Sequence, residues 1–141
     1  MKKLNLGCGK NWQDYLDYEG LDIVDYGQEW KGDVLKLLPG FEDGSYDEVM
    51  ANHFLEHFDQ DQLRTIFSEV HRILKPRGKF EFIVPHKIKD KAWVLSHKTF
   101  WCEETVKFLE KYGEDYGFGE WKIEELVVNG RLDIYARLVR V

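Results

Sequence analysis

The sequence predicts an α/β fold, a mostly parallel sheet that ends in an antiparallel hairpin, on three observations. Short apolar runs alternate with amphipathic stretches along most of the chain. The first run passes straight into a glycine turn at Gly7-Cys8-Gly9, and two strand-like runs near the end are joined by Asn129-Gly130. Strands that alternate with helices call for a parallel sheet with crossover connections. Asn-Gly marks a hairpin because both positions tolerate positive φ.

Lys3 to Leu6, Gly20 to Ile23, a weaker run near Trp30 to Asp33, Asp47 to Ala51 and Lys79 to Val84 are short and apolar, several of them punctuated by Gly or Pro. Such runs suit buried parallel strands. Between the fourth and fifth, Leu63, Ile66, Phe67, Val70, Ile73 and Leu74 recur at three and four, which predicts a helix whose stripe packs on the sheet. Asp59 and Gln62 stand as a variant capping box at its start, and Lys75-Pro76-Arg77-Gly78 ends it. A second helix is predicted from Glu103 to Tyr112, with Val106, Leu109 and Tyr112 on one face and Gly113 as its stop. Trp121 to Val128 and Arg131 to Val141 form the hairpin.

Only the stretch Lys10 to Leu21 separates the glycine turn from Asp22, room for one or two helical turns, so the first crossover helix is expected to be shortened or missing. With Lys3 already beginning the first strand, a helix before it is expected to be missing. One sheet face is then thinly covered. Exposed apolar patches usually mark interfaces, so a homodimer or a partner protein is expected.

A chain of 141 residues, 43% of them hydrophobic, fits one domain spanning residues 1–141. With 20 Lys plus Arg against 26 Asp plus Glu, the net charge of −6 gives no broad footprint for nucleic acid. Cys8 and Cys102 have no metal-pair spacing, and the chain has neither a signal-peptide run nor an apolar stretch of bilayer length. A reduced, cytoplasmic setting is expected.

The ligand is suggested by what surrounds the glycine turn. Glycines without Cβ let a ligand approach the backbone closely, and an acid ending the next strand, here Asp22, can accept hydrogen bonds from ribose hydroxyls. Trp12 stands where a dinucleotide fingerprint needs its third glycine, and Gly7 to Lys10 lacks the spacing of a P-loop. A nucleoside without a phosphate chain remains, and S-adenosylmethionine fits: an adenosine for the carboxylates, an amino acid tail for the turn.

Leu4-Asn5-Leu6-Gly7-Cys8-Gly9, Gly20-Leu21-Asp22, Gly32-Asp33-Val34, Ser45-Tyr46-Asp47-Glu48-Val49 and Glu69 to Gly78 resemble, in order and near spacing, successive motifs of the class I S-adenosylmethionine-dependent methyltransferases. The resemblance covers about residues 3 to 86 and implies a Rossmann-like methyltransferase fold with strand order 3-2-1-4-5-7-6. It implies S-adenosyl-L-methionine as cofactor, held by Asn5, Gly7, Cys8, Gly9, Asp22, Ile23, Asp33, Val34, Asn52, Leu55 and His57. Within that set Asp22 would take the ribose hydroxyls, with Asp25 as its substitute. Asp33 would accept from the adenine amine, Val34 would lend backbone and apolar surface to the ring, and Cys8 would serve as a small filler. For each acid the plain alternative is a turn or cap residue.

In the loop Asn52 to His57 after the fourth strand, His53 is expected to face the substrate and is a candidate base, as is His86, since imidazole titrates near working pH. Beyond the fifth strand, Pro85 to Lys98 carries four lysines against one acid, with Trp93, Phe100 and Trp101 nearby. Trp93 and His97 are the candidate substrate contacts, for an acceptor that is anionic or nucleotide-like. The loop after the fourth strand, Asn52-His53-Phe54-Leu55, keeps only the Asn of the Asn-Pro-Pro-Tyr found in enzymes that methylate exocyclic base amines, which disfavours that subclass.

His53-x-x-Glu56-His57 also spells H-x-x-E-H, an inverted zinc-peptidase motif that needs a long helix. Here it leaves a predicted buried strand and a new helix cap follows at Asp59, so no metal is assigned. Three functions are therefore carried: a methyltransferase with an unidentified acceptor, a catalytically inactive cofactor-binding or partner-binding relic of that fold, and a zinc hydrolase using His53, Glu56 and His57.

Overall fold

A computed structural model describes residues 1–141. Strands β1 (Lys3–Leu6), β2 (Glu19–Asp22), β3 (Trp30–Lys31), β4 (Tyr46–Asn52), β5 (Leu74–Pro85), β6 (Trp121–Val128) and β7 (Asp133–Arg140) form one seven-stranded sheet in the order β3-β2-β1-β4-β5-β7-β6. β1 to β5 pair in parallel, while β7 runs antiparallel to both β5 and β6. The strand order expected from the sequence is the observed one. Helices α1 (Val34–Leu37), α2 (Gln60–Ile73) and α3 (Glu103–Tyr112) accompany it.

α2 starts where its sequence says. Asp59 Oδ1 accepts from the Gln62 backbone N–H at 2.8 Å, and Gln62 Oε1 accepts from the Asp59 N–H at 3.0 Å, so two donors at the helix start are satisfied reciprocally. Its stripe Leu63, Ile66, Phe67, Val70 and Ile73 is buried, with the Phe67 ring 5.2 Å from that of Phe80 and 5.9 Å from that of Phe82 on β5. On α3, Val106 and Leu109 are buried as expected, but Tyr112 is exposed, and Gly113 keeps right-handed helical angles rather than stopping the helix with positive φ. Left-handed glycine comes later, at Gly117 with φ 84°.

β5 is longer than expected. Leu74 already pairs with Tyr46 directly after the helix, and the chain then bends through Arg77 at φ 65° before the register resumes at Glu48 and Lys79. Lys75 to Gly78 thus kinks a paired strand instead of separating helix from strand.

The hairpin also closes differently from the sequence expectation. The positive φ falls on Leu132 (61°), not on Asn129 or Gly130. Leu132 N–H donates to Asn129 O at 3.0 Å and Asn129 N–H to Asp133 O at 2.9 Å, the pattern of a three-residue connection with a bulge. Asn129 Oδ1 accepts from the Arg131 and Asp133 N–H groups at 2.9 and 3.1 Å, so Asn129 acts through its side chain. A leucine in the left-handed region carries strain of about 1–2 kcal/mol. Leu132→Gly is therefore expected to stabilise the chain by up to about 1 kcal/mol after the entropy cost of glycine, read as a rise in urea midpoint at constant slope; a lower midpoint would count against this turn geometry.

The shortened first crossover is a single 3-10 turn, Trp12–Tyr15, and no helix links β2 to β3. Leu4, Leu6, Leu21, Val49, Ala51, Phe80, Phe82, Ala136 and Leu138 fill the core on one side. The strand register puts Lys3, Glu48, Lys79, Glu81 and Arg137 on the other. That side is charged rather than apolar: Lys3 Nζ sits 3.5 Å from Glu48 and 3.3 Å from Asp17, Arg137 3.6 Å from Glu81, and Lys79 3.2 Å from Glu124. Tyr18 adds a hydrogen bond to Glu48 Oε2 at 3.1 Å. A face finished with ion pairs needs no helix over it, so thin cover does not create the apolar patch expected there.

Candidate functional site

The carboxyl ends of β1, β2 and β4 converge on the glycine turn, the place where open α/β sheets bind ligands. Gly7 N–H and Cys8 N–H both donate to Leu21 O, at 2.8 and 3.1 Å, which ties the turn to β2. Gly7 and Gly9 have φ of 65° and 69°, but they are needed for different reasons. A Cβ at Gly7 would lie 2.2 Å from Phe54 Cδ1, so the space there is filled by a ring of the protein itself. A Cβ at Gly9 would meet nothing within 4 Å. Close approach by a ligand is open at Gly9 alone.

Asp22 sits at the mouth of this opening. Its Oδ2 accepts from Gly9 N–H at 2.9 Å and its Oδ1 from Val24 N–H at 3.0 Å, leaving further lone pairs on both oxygens. Asp25 is turned into its own loop, accepting from Gly27 N–H at 2.9 Å. Ile23 is 68% exposed beside Asp22, an apolar side chain with no protein partner over it. Asn5 is buried under the turn, and Cys8 is packed between strands: burial pushes its thiol up to about 11, so it stays protonated and acts as filler. Gly20 is fixed by the same packing, since its Cβ would lie 2.9 Å from Cys8 Sγ.

Asp33 caps α1, with Oδ1 accepting from Leu35 N–H at 2.9 Å. Oδ2 makes no hydrogen bond within the protein. Val34 is buried in the core, so its side chain does not line the crevice. Sequence reasoning passed over Gln28, which does the work of the missing second crossover helix. It is buried, its amide nitrogen donates to Val24 O at 2.9 Å and Trp30 O at 3.0 Å, and its Oε1 accepts from Tyr26 N–H at 2.8 Å. Only a buried side chain with both donors and an acceptor can pin such a loop; nothing in local spacing announces it.

After β4 the chain turns sharply. Asn52 closes the strand, its amide directed back to Met50 Sδ at 3.5 Å, and His53 follows at φ 53° with its N–H bound to Ile83 O at 2.8 Å. A non-glycine residue held in the left-handed region beside a ligand crevice is a strained position of the kind found at functional sites. Leu55 is fully buried and belongs to the core, so it cannot line the cofactor with its side chain. Leu55–His57 forms only a 3-10 turn, so His53 and His57 do not share a helical face and the peptidase arrangement is absent.

Glu56 is the residue the sequence weighed only as part of that motif. It is 1% exposed, its Oε1 has no hydrogen-bond partner, and burial raises its carboxyl above the usual range. Oε2 lies 3.9 Å from His53 Nδ1. The Glu56 carbonyl accepts from Lys98 and Thr99 N–H groups at 2.8 and 3.2 Å, which draws the segment after β5 over this turn. His97 thereby meets His57, their rings edge to face with centroids 4.7 Å apart.

His86 is placed elsewhere in function. Its Nδ1 accepts from Ile88 N–H at 3.2 Å, and its Nε2 donates to Glu103 at 2.7 Å, so neither ring nitrogen is left for a substrate proton. Trp93 stacks on Phe100 at 4.1 Å, with its indole N–H on Lys87 O at 2.7 Å, and stays 57% exposed. A separate cleft of about 990 Å³ runs between α2 and α3, lined by Leu63, Phe67, Phe100, Phe108 and Phe118 among others, and touches none of the expected cofactor residues.

Comparison with known proteins agrees with the sheet order. A family model described as a methyltransferase domain matches residues 4–82. Among solved structures, a SAM-dependent methyltransferase from Archaeoglobus fulgidus is 20% identical with a TM-score of 0.75, over 99% of this chain and 86% of that one. The putative methyltransferase seen with the Trm112 activator of Haloferax volcanii is 17% identical with a TM-score of 0.72, over 98% and 81%. The 1,6-didemethyltoxoflavin-N1-methyltransferase of Burkholderia thailandensis, solved with bound 1,6-didemethyltoxoflavin and S-adenosylhomocysteine, is 15% identical with a TM-score of 0.73, over 99% and 71%. Among curated proteins, none matches the chain. At these identities the likeness to solved structures is one of fold.

Proposed function

The chain belongs to the class I S-adenosylmethionine-dependent methyltransferases, whose domain it matches over more than half its length; from that premise we propose that it transfers a methyl group from S-adenosyl-L-methionine to an acceptor at the carboxyl edge of β1, β2 and β4. The observation that carries this reading is the pairing of Gly9, where a Cβ would meet only open space, with the Asp22 carboxylate hydrogen-bonded to it.

When bound, the cofactor supplies an electrophilic methyl group on a sulfonium. The chain's own part is to bind and align. Asp22 accepts from the ribose hydroxyls, Ile23 offers its bare side chain to the base, and the free Asp33 Oδ2 together with the Val34 backbone faces the adenine edge. Gly9 admits the amino acid tail. Orientation of this sort contributes as much as roughly 7–11 kcal/mol in the best intramolecular cases. His53, 54% exposed at its side chain and strained at the crevice, is proposed to take a proton from the acceptor when that acceptor is a hydroxyl or a protonated amine. His53→Asn should fold normally, because Asn tolerates the left-handed region, while turnover drops roughly 100-fold, in the range for loss of a general base. Unchanged turnover would remove His53 from the reaction.

A second reading keeps cofactor binding without catalysis, and the missing crossover helices favour it. Incorporation of a labelled methyl group into size-sorted cell extract separates the two: label in any acceptor class supports transfer, tight cofactor binding with no label supports the inactive form. No helix is long and apolar enough to cross a membrane; separately, from its two free cysteines we propose that residues 1–141 act as one domain in the reducing cytoplasm. A homodimer would use exposed apolar side chains such as Leu16, Val24, Ile88 and Leu95 rather than the charged sheet face.

A further inference from the structure

We propose that Glu56, His57 and His97 form a binding site for a transition-series divalent cation such as Zn²⁺ at the junction of the turn after β4 and the segment after β5. Each of the three offers a ligand atom, and these atoms all lie within 4.8 Å of one another. About 3.3 Å separates two ligands on a tetrahedral zinc with bonds near 2.0–2.1 Å, so modest side-chain rotation closes the set.

Three features distinguish this cluster from a chance meeting of polar groups. His57 Nδ1 lies 3.2 Å from Ser96 O and His97 Nδ1 2.9 Å from Ala92 O. A carbonyl can only accept, so both Nδ1 atoms carry the proton and both Nε2 atoms keep a lone pair. An imidazole oriented by an Nδ1–H to carbonyl bond is how proteins prepare a histidine to ligate metal. Second, Glu56 is buried with Oε1 lacking any partner. A buried carboxylate oxygen left unsatisfied is destabilising, a penalty that a cation would remove. Third, the turn is braced: Lys98 and Thr99 N–H groups on the Glu56 carbonyl hold the two segments together, so the ligands come from elements already fixed to each other.

The donor set names the class of ion. Two imidazoles and one carboxylate suit Zn²⁺ or Fe²⁺ and leave coordination positions open, while Mg²⁺ and Ca²⁺ prefer all-oxygen sites. His53, whose Nδ1 is 3.9 Å from Glu56 Oε2, stands where a further ligand could enter. This set differs from the helical H-x-x-E-H reading, because His97, some forty residues on in the chain, replaces His53. The sequence assigned no metal, since spacing cannot reveal a partner delivered by a distant loop.

The test needs no cofactor. Zinc is titrated into the full chain against a chromophoric zinc chelator, with Glu56→Gln and His97→Ala alongside, and far-UV circular dichroism checks that each folds. One zinc per chain, weakened at least tenfold in each folded variant and not displaced by magnesium, is the expected result. Since Glu56→Gln can compromise folding, the wild-type protein is also followed by nitrogen-15 NMR of its imidazoles: zinc should shift the Nε2 signals of His57 and His97 and leave His71 unmoved. No stoichiometric uptake, equal uptake by the folded variants, or shifts confined to other residues overturns the site.

Discussion

Gly7→Ala is expected to destabilise the folded chain by about 2–5 kcal/mol, a large part of the 5–15 kcal/mol that holds a typical domain together. Two costs add. A non-glycine residue at φ 65° carries left-handed strain of about 1–2 kcal/mol, and a Cβ placed 2.2 Å from the Phe54 ring forces a core-edge side chain to move, an overpacking cost of typically 1–3 kcal/mol. Phe54 cannot retreat freely, because it packs against Phe58 with ring centroids 4.8 Å apart. The check is a double-mutant cycle in urea with Phe54→Ala. Removing the ring should cancel the overpacking share, giving a favourable coupling above about 1 kcal/mol. Strictly additive losses would show that the ring does not enforce glycine here.

Asp22→Ala should weaken binding of S-adenosylmethionine and of its demethylated product by roughly 10- to 100-fold, about 1.4–2.8 kcal/mol, the range for losing hydrogen bonds to a charged acceptor. The same change frees the Gly9 and Val24 N–H groups, so a small fall in stability accompanies it. Asp22→Asn separates the two effects, because an amide oxygen still accepts one hydrogen bond while its NH₂ cannot accept the other. Its affinity should fall between wild type and Asp22→Ala, measured by calorimetric titration. Equal affinity across all three proteins would reject the role given to Asp22.

The strands were legible as short apolar runs and the start of α2 as the local pair Asp59 and Gln62, while the strand order came from the resemblance to class I methyltransferase motifs. The hairpin was legible as an Asn-Gly signal, although the positive φ moved to Leu132: cross-strand pairing of Asn129 with Asp133 selected a longer turn than the dipeptide alone favours. What local reading missed are contacts between distant segments. Gln28 braces its loop through four backbone partners, Phe54 rather than a ligand claims the space above Gly7, and Glu103 takes up His86. The charge on the uncovered sheet face was present as alternation along β5 and β7, yet only register shows that Glu81 stands beside Arg137. In the candidate site the turn glycines and Asp22 were singled out by motif spacing, while the meeting of His57 with His97 depends on how the segment after β5 folds back onto Glu56.

The most direct test of the central claim is a crystal structure of the chain with S-adenosylhomocysteine. The ribose hydroxyls should lie within hydrogen-bond distance of Asp22, about 2.5–3.0 Å, with the amino acid tail against Gly9 and the base beside Ile23 and Asp33. A nucleoside bound away from Asp22, or a crevice that stays empty at saturating ligand while the crystals diffract well, would contradict it.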